Sequence, residues 1–320
     1  MRLVVLVLFV CVAAFLSLSV GAVHMSAFER LAALFGHGDA LHVTIMQDVR
    51  APRSLLGLVI GAGLGASGAA LQGYTRNPLA DPGILGFSAT AALGAVAALY
   101  FGHREWVVPS ALAGAAIGAS LLLILAGRKT GALQLVLAGV GIGALATALT
   151  GLLMNFAPNP WALSEIAYWL MGSLKNAGLD AAILCGGLTL AGLAVLFVTG
   201  PDLRSLSLGE DTARALGVLL GRLRLLLVAG VALCVGSGVA VAGAIGFVGL
   251  FVPHILRFIF GPDPARLIPL SALGGAGFLT LADTLTRLIS INGTSLYLGI
   301  LSSLIGAPFF IWLAFRSGRI

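Results

Sequence analysis

Three hundred and twenty residues that are 59% hydrophobic and only 9% charged do not make a soluble domain, which runs about 45–50% apolar and about 25% charged. The 18 Lys and Arg against 12 Asp and Glu, a net charge of +6, would hint at nucleic acid in a soluble protein. In a chain this apolar they read instead as the loop cations that set membrane topology, and nucleic acid is excluded as a partner. Unbroken apolar runs also exclude an outer-membrane barrel, whose strands alternate apolar and polar residues.

The expected class is an all-α polytopic membrane protein, one transmembrane domain over residues 1–320. A first span is expected at about Leu3–Val23, retained because it is longer than a signal-peptide core and lacks a clean cleavage site. A mixed stretch, His24–Arg53, precedes a second span at about Ser54–Gln72, which ends at the polar break Arg76–Gly83. Further spans follow at about Ile84–Phe101, Val107–Ala126 (closed by Arg128 and Lys129) and Leu133–Phe156. Pro158-Asn159-Pro160 opens an amphipathic stretch to Lys175, and a sixth span covers Leu179–Thr199. The longest polar interval, Gly200–Arg224, separates it from a seventh at Leu225–Ala244 and an eighth at Gly246–Phe260, interrupted by Pro253 and His254. Ile268–Leu285 forms the ninth, Ser290–Tyr297 a polar link, and Leu298–Phe315 the tenth.

Ten spans put both termini on one side of the bilayer. With the N-terminus inside, twelve basic residues face the cytoplasm and six face outward, as the positive-inside rule requires. The region 239–260 is the pivot: read as one crossing, it would invert everything after it. Gly61, Gly63, Gly65 and Gly68 in span two are matched by Gly230, Gly236, Gly238 and Gly243 in span seven, five spans later. An odd offset makes the two halves, spans 2–5 and 7–10, an inverted repeat, a recurring transporter plan. The same glycines also suit close helix packing.

Polar chemistry inside the spans is sparse. Asp283 and Arg287 suit an i, i+4 ion pair near a helix end, and His254 reads as a satisfied core histidine. Cys11, Cys185 and Cys234 lie in apolar runs with no paired spacing, so neither a disulfide framework nor a metal site is expected. A membrane enzyme using His254 and Asp283, or an ion-driven secondary transporter, would need more buried chemistry than this. The energy source is therefore expected elsewhere.

The interval of about 200–224, expected to be cytoplasmic, holds the most specific local signal. Ser207-Leu208-Gly209-Glu210 matches a capping box, and Gly217 suits the left-handed residue that closes a helix. A two-turn helix at about Leu208–Leu216 is expected, presenting Ala213, Arg214, Ala215 and Leu216. Alone in water it would be marginal, so it rests on lipid headgroups or plugs into a partner protein. On the opposite face, Arg50, Arg53 and Arg287 at helix ends suit either headgroup anchoring or bidentate pairing with carboxylates.

These stretches resemble the permease subunits of bacterial ATP-binding-cassette importers for iron–siderophores, haem and vitamin B12, the large ten-helix, type II importers. The resemblance runs from Arg50-Ala51-Pro52-Arg53 through Ser67-Gly68, Leu71-Gln72 and Arg76–Gly83 to Leu208-Gly209-Glu210 with Ala215-Leu216-Gly217. It continues through Gly243–Leu250 with Val252-Pro253-His254, then Ala282-Asp283, Arg287 and Gly306–Phe310. It implies two permease copies, in a homodimer or with a paralogue, two ATPase subunits that carry ATP and Mg²⁺, and a periplasmic or lipid-anchored binding protein. This chain itself would bind no cofactor and catalyse no reaction. Residues Ser207–Gly217 would be the ATPase-coupling helix, and Arg50, Arg53 and Arg287 would meet the binding protein. Gly61, Gly65, Gly68, Gln72, Asn77 and Pro78 would line the channel or pack its helices. The cargo class, an iron chelate or cobalamin, comes from the resemblance alone.

Overall fold

A computed structural model describes residues 1–127, 132–175, 178–291 and 294–317; Arg128, Lys129 and Arg319 lie outside them. The chain opens with α1 (Arg2–Ser19), α2 (Ala27–Leu34) and α3 (Ala40–Thr44). A π-helical turn, Ile45–Arg50, then runs into α4 (Ala51–Thr75). After a short turn at Pro82–Leu85 come α5 (Phe87–Tyr100), α6 (Val107–Ala126), α7 (Ala132–Asn155) and α8 (Pro160–Leu170). The second half holds α9 (Leu179–Val198), α10 (Gly200–Leu206), α11 (Glu210–Ala215), α12 (Leu220–Ala242), α13 (Val248–Phe260), α14 (Pro264–Leu288) and α15 (Leu298–Ser317).

Each expected span falls on one of these helices. Seven helical stretches among the described residues are long and apolar enough to cross a membrane, and α5, α13 and α15 are shorter apolar helices. The mixed stretch before span two is largely helical. Ser26 caps α2 by accepting from the Glu29 amide at 3.2 Å, and Glu29 accepts in return from the Ser26 amide at 2.7 Å, a complete capping box. These bonds hold the Glu29 carboxyl below its ordinary range. Around the expected polar link, Ser290–Ile291 pairs antiparallel with Thr294–Ser295 as a two-residue ribbon.

The pivot between spans seven and eight is a genuine break. Gly243 (φ 72°) ends α12 and Phe247 (φ 69°) starts α13. A left-handed Phe costs roughly 1–2 kcal/mol, so surrounding structure imposes it. α5 starts the same way, from Gly86 at φ 80°. The packing repeats as well: α4 lies on α13 and α14 while α12 lies on α5 and α6, and α5–α6–α7 stack as α13–α14–α15 do. Exchanging the α4–α7 and α12–α15 sets therefore maps the contacts onto one another, the arrangement expected of two related halves.

At the centre lies the antiparallel pair α4 and α14. On α4, Arg53, Gly57, Gly61, Gly65 and Gly73 recur every four or eight residues, one ridge of a helix. One register follows that ridge along α14. Arg53 meets Asp283 at 2.8 Å. A Cβ on Gly57 would meet Thr280, one on Gly61 the Gly275 carbonyl, one on Gly65 the Ser271 carbonyl and one on Gly73 the Pro264 ring. Gly68, on the next row, meets the Gly249 carbonyl of α13 in the same way. Without an aqueous hydrophobic drive between helices in lipid, such close backbone approach is what holds them together.

Candidate functional site

Two regions at opposite ends of the α4–α14 pair gather the polar residues. The first is the knob α10–α11. α9 continues after a short kink into α10, and the capping box expected at Ser207 does not form. Ser207 instead closes α10, its hydroxyl donating to the Leu203 carbonyl at 3.1 Å, a local back-bond that competes with capping. α11 is accordingly shorter than expected, Glu210–Ala215, and starts from Gly209 at φ 108° without a side-chain cap. Its end is as expected: Gly217, at φ 89°, donates to Arg214 O while Val218 donates to Ala213 O, both at 3.0 Å, a Schellman closure.

The face of the knob also differs from expectation. Ala213 is fully buried against the body of the chain rather than presented outward, whereas Leu208, Leu216 and Leu219 are 66, 62 and 67% exposed. Arg214, Glu210 and Asp211 sit among them, with Arg214 3.6 Å from each carboxylate, and Ala215 is exposed. The knob therefore offers three leucines beside one arginine and two carboxylates.

A pair that sequence reasoning missed ties the knob to the bundle. Arg204 of α10 donates to both oxygens of Asp263, at 2.9 and 2.6 Å. Asp263 also caps α14 by accepting from the Ala265 amide at 3.1 Å. The bidentate contact holds the Asp263 carboxyl below its ordinary range, burial opposing weakly, and raises the Arg204 guanidinium. The available signal was Asp263 immediately before Pro264, a helix-start pattern.

The second region lies at the other end of α14. Asp283 is 2% exposed and accepts from Arg53, 13% exposed, and from Arg287, 10% exposed, at 2.8 and 2.7 Å. The expected i, i+4 pair with Arg287 is present, and Arg53, 230 residues away in sequence, completes it. Arg287 also donates to the Ser17 carbonyl (2.7 Å) and hydroxyl (3.0 Å) and to the Val20 carbonyl (3.3 Å). Arg50 is 3% exposed and donates to the carbonyls of Leu18, Ser19 and Val23 at 3.0, 3.2 and 2.5 Å. The three arginines, with residues 20–23 and the π-helical turn, line a cleft of about 340 Å³. Arg50, Arg53 and Arg287 are thus brought together, and all three are turned inward.

Among the remaining candidates, Gly61, Gly65 and Gly68 belong to helix packing. Gln72 is buried, accepting from Arg257 at 3.0 Å and donating to the Leu250 carbonyl at 3.4 Å. Asn77 turns the following loop by accepting from the Leu79 amide at 2.9 Å, and Pro78 is exposed beside it. His254 is buried among Phe258, Phe309 and Phe310 as expected, but it is not satisfied: neither ring nitrogen makes a hydrogen bond among the described residues. Among the described residues no group of three His, Cys, Asp or Glu is placed to hold a metal.

The chain belongs to the FecCD transport family, whose profile matches residues 7–316. It is 40% identical over 283 residues to the cobalamin import system permease protein BtuC of Halobacterium salinarum, covering 87% of this chain and 75% of that one. It is 37% identical to the ferric enterobactin transport system permease protein FepD of Escherichia coli, over 98% of this chain and 95% of that protein. A solved structure described as the inward-facing conformation of a transporter of metal-chelate ABC type superposes with a TM-score of 0.89 at 32% identity, covering 98% of this chain and 99% of the other. The fold is that of an ABC-transporter permease, with helices apolar enough to cross the membrane.

Proposed function

We propose that this chain is the membrane subunit of an ATP-driven importer that carries an iron chelate or cobalamin into the cell. Two copies enclose the path, with the termini and the α10–α11 knob on the cytoplasmic side. Two ATPase subunits bind ATP and Mg²⁺ and grip the knob, and an external binding protein delivers cargo to the end that carries Arg50, Arg53 and Arg287. The reading rests on the family relationship together with one observation: three exposed leucines in the turns flanking the short charged helix α11, in a knob whose α10 is ion-paired through Arg204 to the base of α14. Apolar side chains this exposed on a polar knob favour a protein partner.

Movement of the knob would be passed to α14 through the Arg204–Asp263 pair, and from α14 to α4 through their interlocked backbones. Nucleotide turnover then supplies the differential stabilisation that shifts the bundle between its two open states. A largely apolar wall has few groups to hold a bulky cargo, so release needs no competing site. Ion-coupled transport is disfavoured because Asp283, the one buried carboxylate among the described residues, is already shared by two arginines.

Replacing Glu210 with Lys, or Ala215 with Trp, tests this directly. Reconstituted with its ATPase, either variant should lose cargo uptake by at least about tenfold, the loss of roughly 1.4 kcal/mol of coupling. Membrane insertion and ATP hydrolysis should persist. Undiminished uptake in both would reject the role of the knob, and uptake driven by an ion gradient without any ATPase would reject the importer.

A further inference from the structure

The same arginines that the proposed docking requires are engaged within the chain. A guanidinium carries five N–H donors, and all five of Arg287 have acceptors: Nε and one Nη2 hydrogen on Asp283, the other Nη2 hydrogen on the Ser17 hydroxyl, and two Nη1 hydrogens on the Ser17 and Val20 carbonyls. Arg50 is spent on Leu18, Ser19 and Val23. Every acceptor except Asp283 lies in residues 17–23, the last turn of α1 and the extended chain that follows it.

A helix leaves its final carbonyls without intrahelical donors, and cations at that end are favoured by the helix dipole. Arg50 and Arg287 satisfy both needs for α1. The body of α1 packs along α14, with the Phe9 ring against Gly277, and Arg2 at its start donates to the Ile259 carbonyl at 2.6 Å; only Leu6, Ala13 and Ser17 are buried, and most of the helix surface is exposed. A further contact at the same end is the Ser17 hydroxyl against that of Ser54 on α4, at 2.6 Å. α1 is therefore a peripheral helix held by packing along α14 and by Arg2 at its start, while the polar fastening of its last turn comes from Arg50, Arg287 and Ser54. Three guanidiniums face a single carboxylate there, beside an open cleft, so the fastening carries an excess of positive charge.

We propose that this end of α1 is a latch operated by carboxylate exchange. A carboxylate entering the cleft takes N–H donors of Arg50 and Arg287 from the α1 carbonyls, and residues 17–23 come free. Asp283 stays with Arg53 and keeps the α4–α14 register. This deepens the docking reading above and rests on it for the identity of the natural carboxylate. The exchange itself belongs to this chain alone.

The test uses the full chain in nanodiscs and poly-L-glutamate as the carboxylate probe. In a Cys11→Ala background, a nitroxide at Ala22→Cys should be immobile and become mobile as the polymer binds, while one at Leu3→Cys should not change. The double variant Ser17→Cys/Ser54→Cys provides a lock, because its side chains replace two hydroxyls already in contact. Its disulfide should lower polymer affinity by at least about tenfold, the order expected when charge-assisted bonds are withheld, and reduction should restore it in the same molecules. Equal affinity of the oxidised and reduced forms, or a bound polymer that leaves the Ala22 label immobile, would overturn the latch, as would a failure of the polymer to bind. A label released by polymer in a protein that fails to recruit its binding protein would instead reject the docking reading and leave the latch standing.

Discussion

Asp283 is the residue on which this end of the α4–α14 pair depends. It accepts from Arg53 and Arg287 while nearly excluded from solvent, so removing its charge strands two cations. Asp283→Asn should cost about 3–5 kcal/mol, as expected when one member of a buried ion pair is deleted, read as loss of thermal stability in detergent. Glu165→Gln breaks an ion pair of similar length with Arg104, whose side chain is 77% exposed. That variant should cost no more than about 1 kcal/mol. Similar shifts for the two would mean that Asp283 is better hydrated than its surroundings imply. Half of this cluster was legible in the sequence, because Asp283 and Arg287 lie one helical turn apart. Arg53 was legible only as a helix-end arginine seeking some carboxylate.

Among the elements, α4 shows how a ridge of small residues becomes a joint. At Gly65 and Gly68 an added methyl would overlap a backbone carbonyl of α14 or α13, which cannot swing aside as a side chain can. Gly65→Ala and Gly68→Ala should each destabilise by about 1–3 kcal/mol, the usual cost of overpacking. Gly141, on an exposed face of α7, has open space around its Cβ position. There the same change should be neutral or mildly stabilising, since alanine restrains the unfolded helix less wastefully than glycine. Thermal unfolding of the three variants side by side distinguishes packing from propensity. The glycines advertised close approach in the sequence. Which helix approaches is a property of the bundle.

Across the whole molecule, α14 acts as a rod of about 37 Å, from 25 residues at 1.5 Å each. Its first residue follows Asp263, which holds the knob through Arg204, and its last turn carries Asp283 and Arg287. The lower tether responds to pH. Because the folded state holds the Asp263 carboxyl below its ordinary value of about 3.9, its stabilising contribution is complete above that value. It is lost as pH falls through the depressed folded value. Asp263→Asn should therefore lower the unfolding midpoint at pH 7, and the gap from wild type should close in acid. A gap that persists unchanged well below pH 3.9 would show that Asp263 acts without its charge.

The sequence by itself determined the elements: ten apolar stretches, the run of glycines on α4 and the left-handed Gly217, with the region 239–260 left open. Each is written within a few turns of helix, where lipid solvation and backbone sterics act on neighbours in the chain. Tertiary structure decided the pairings. It placed Asp283 against Arg53, turned Ala213 inward, and spent Arg50 and Arg287 on the end of α1. Those outcomes depend on which donors and acceptors the packed bundle brings within about 3 Å, the reach of a hydrogen bond, and partners dozens to hundreds of residues apart leave no local mark of that proximity.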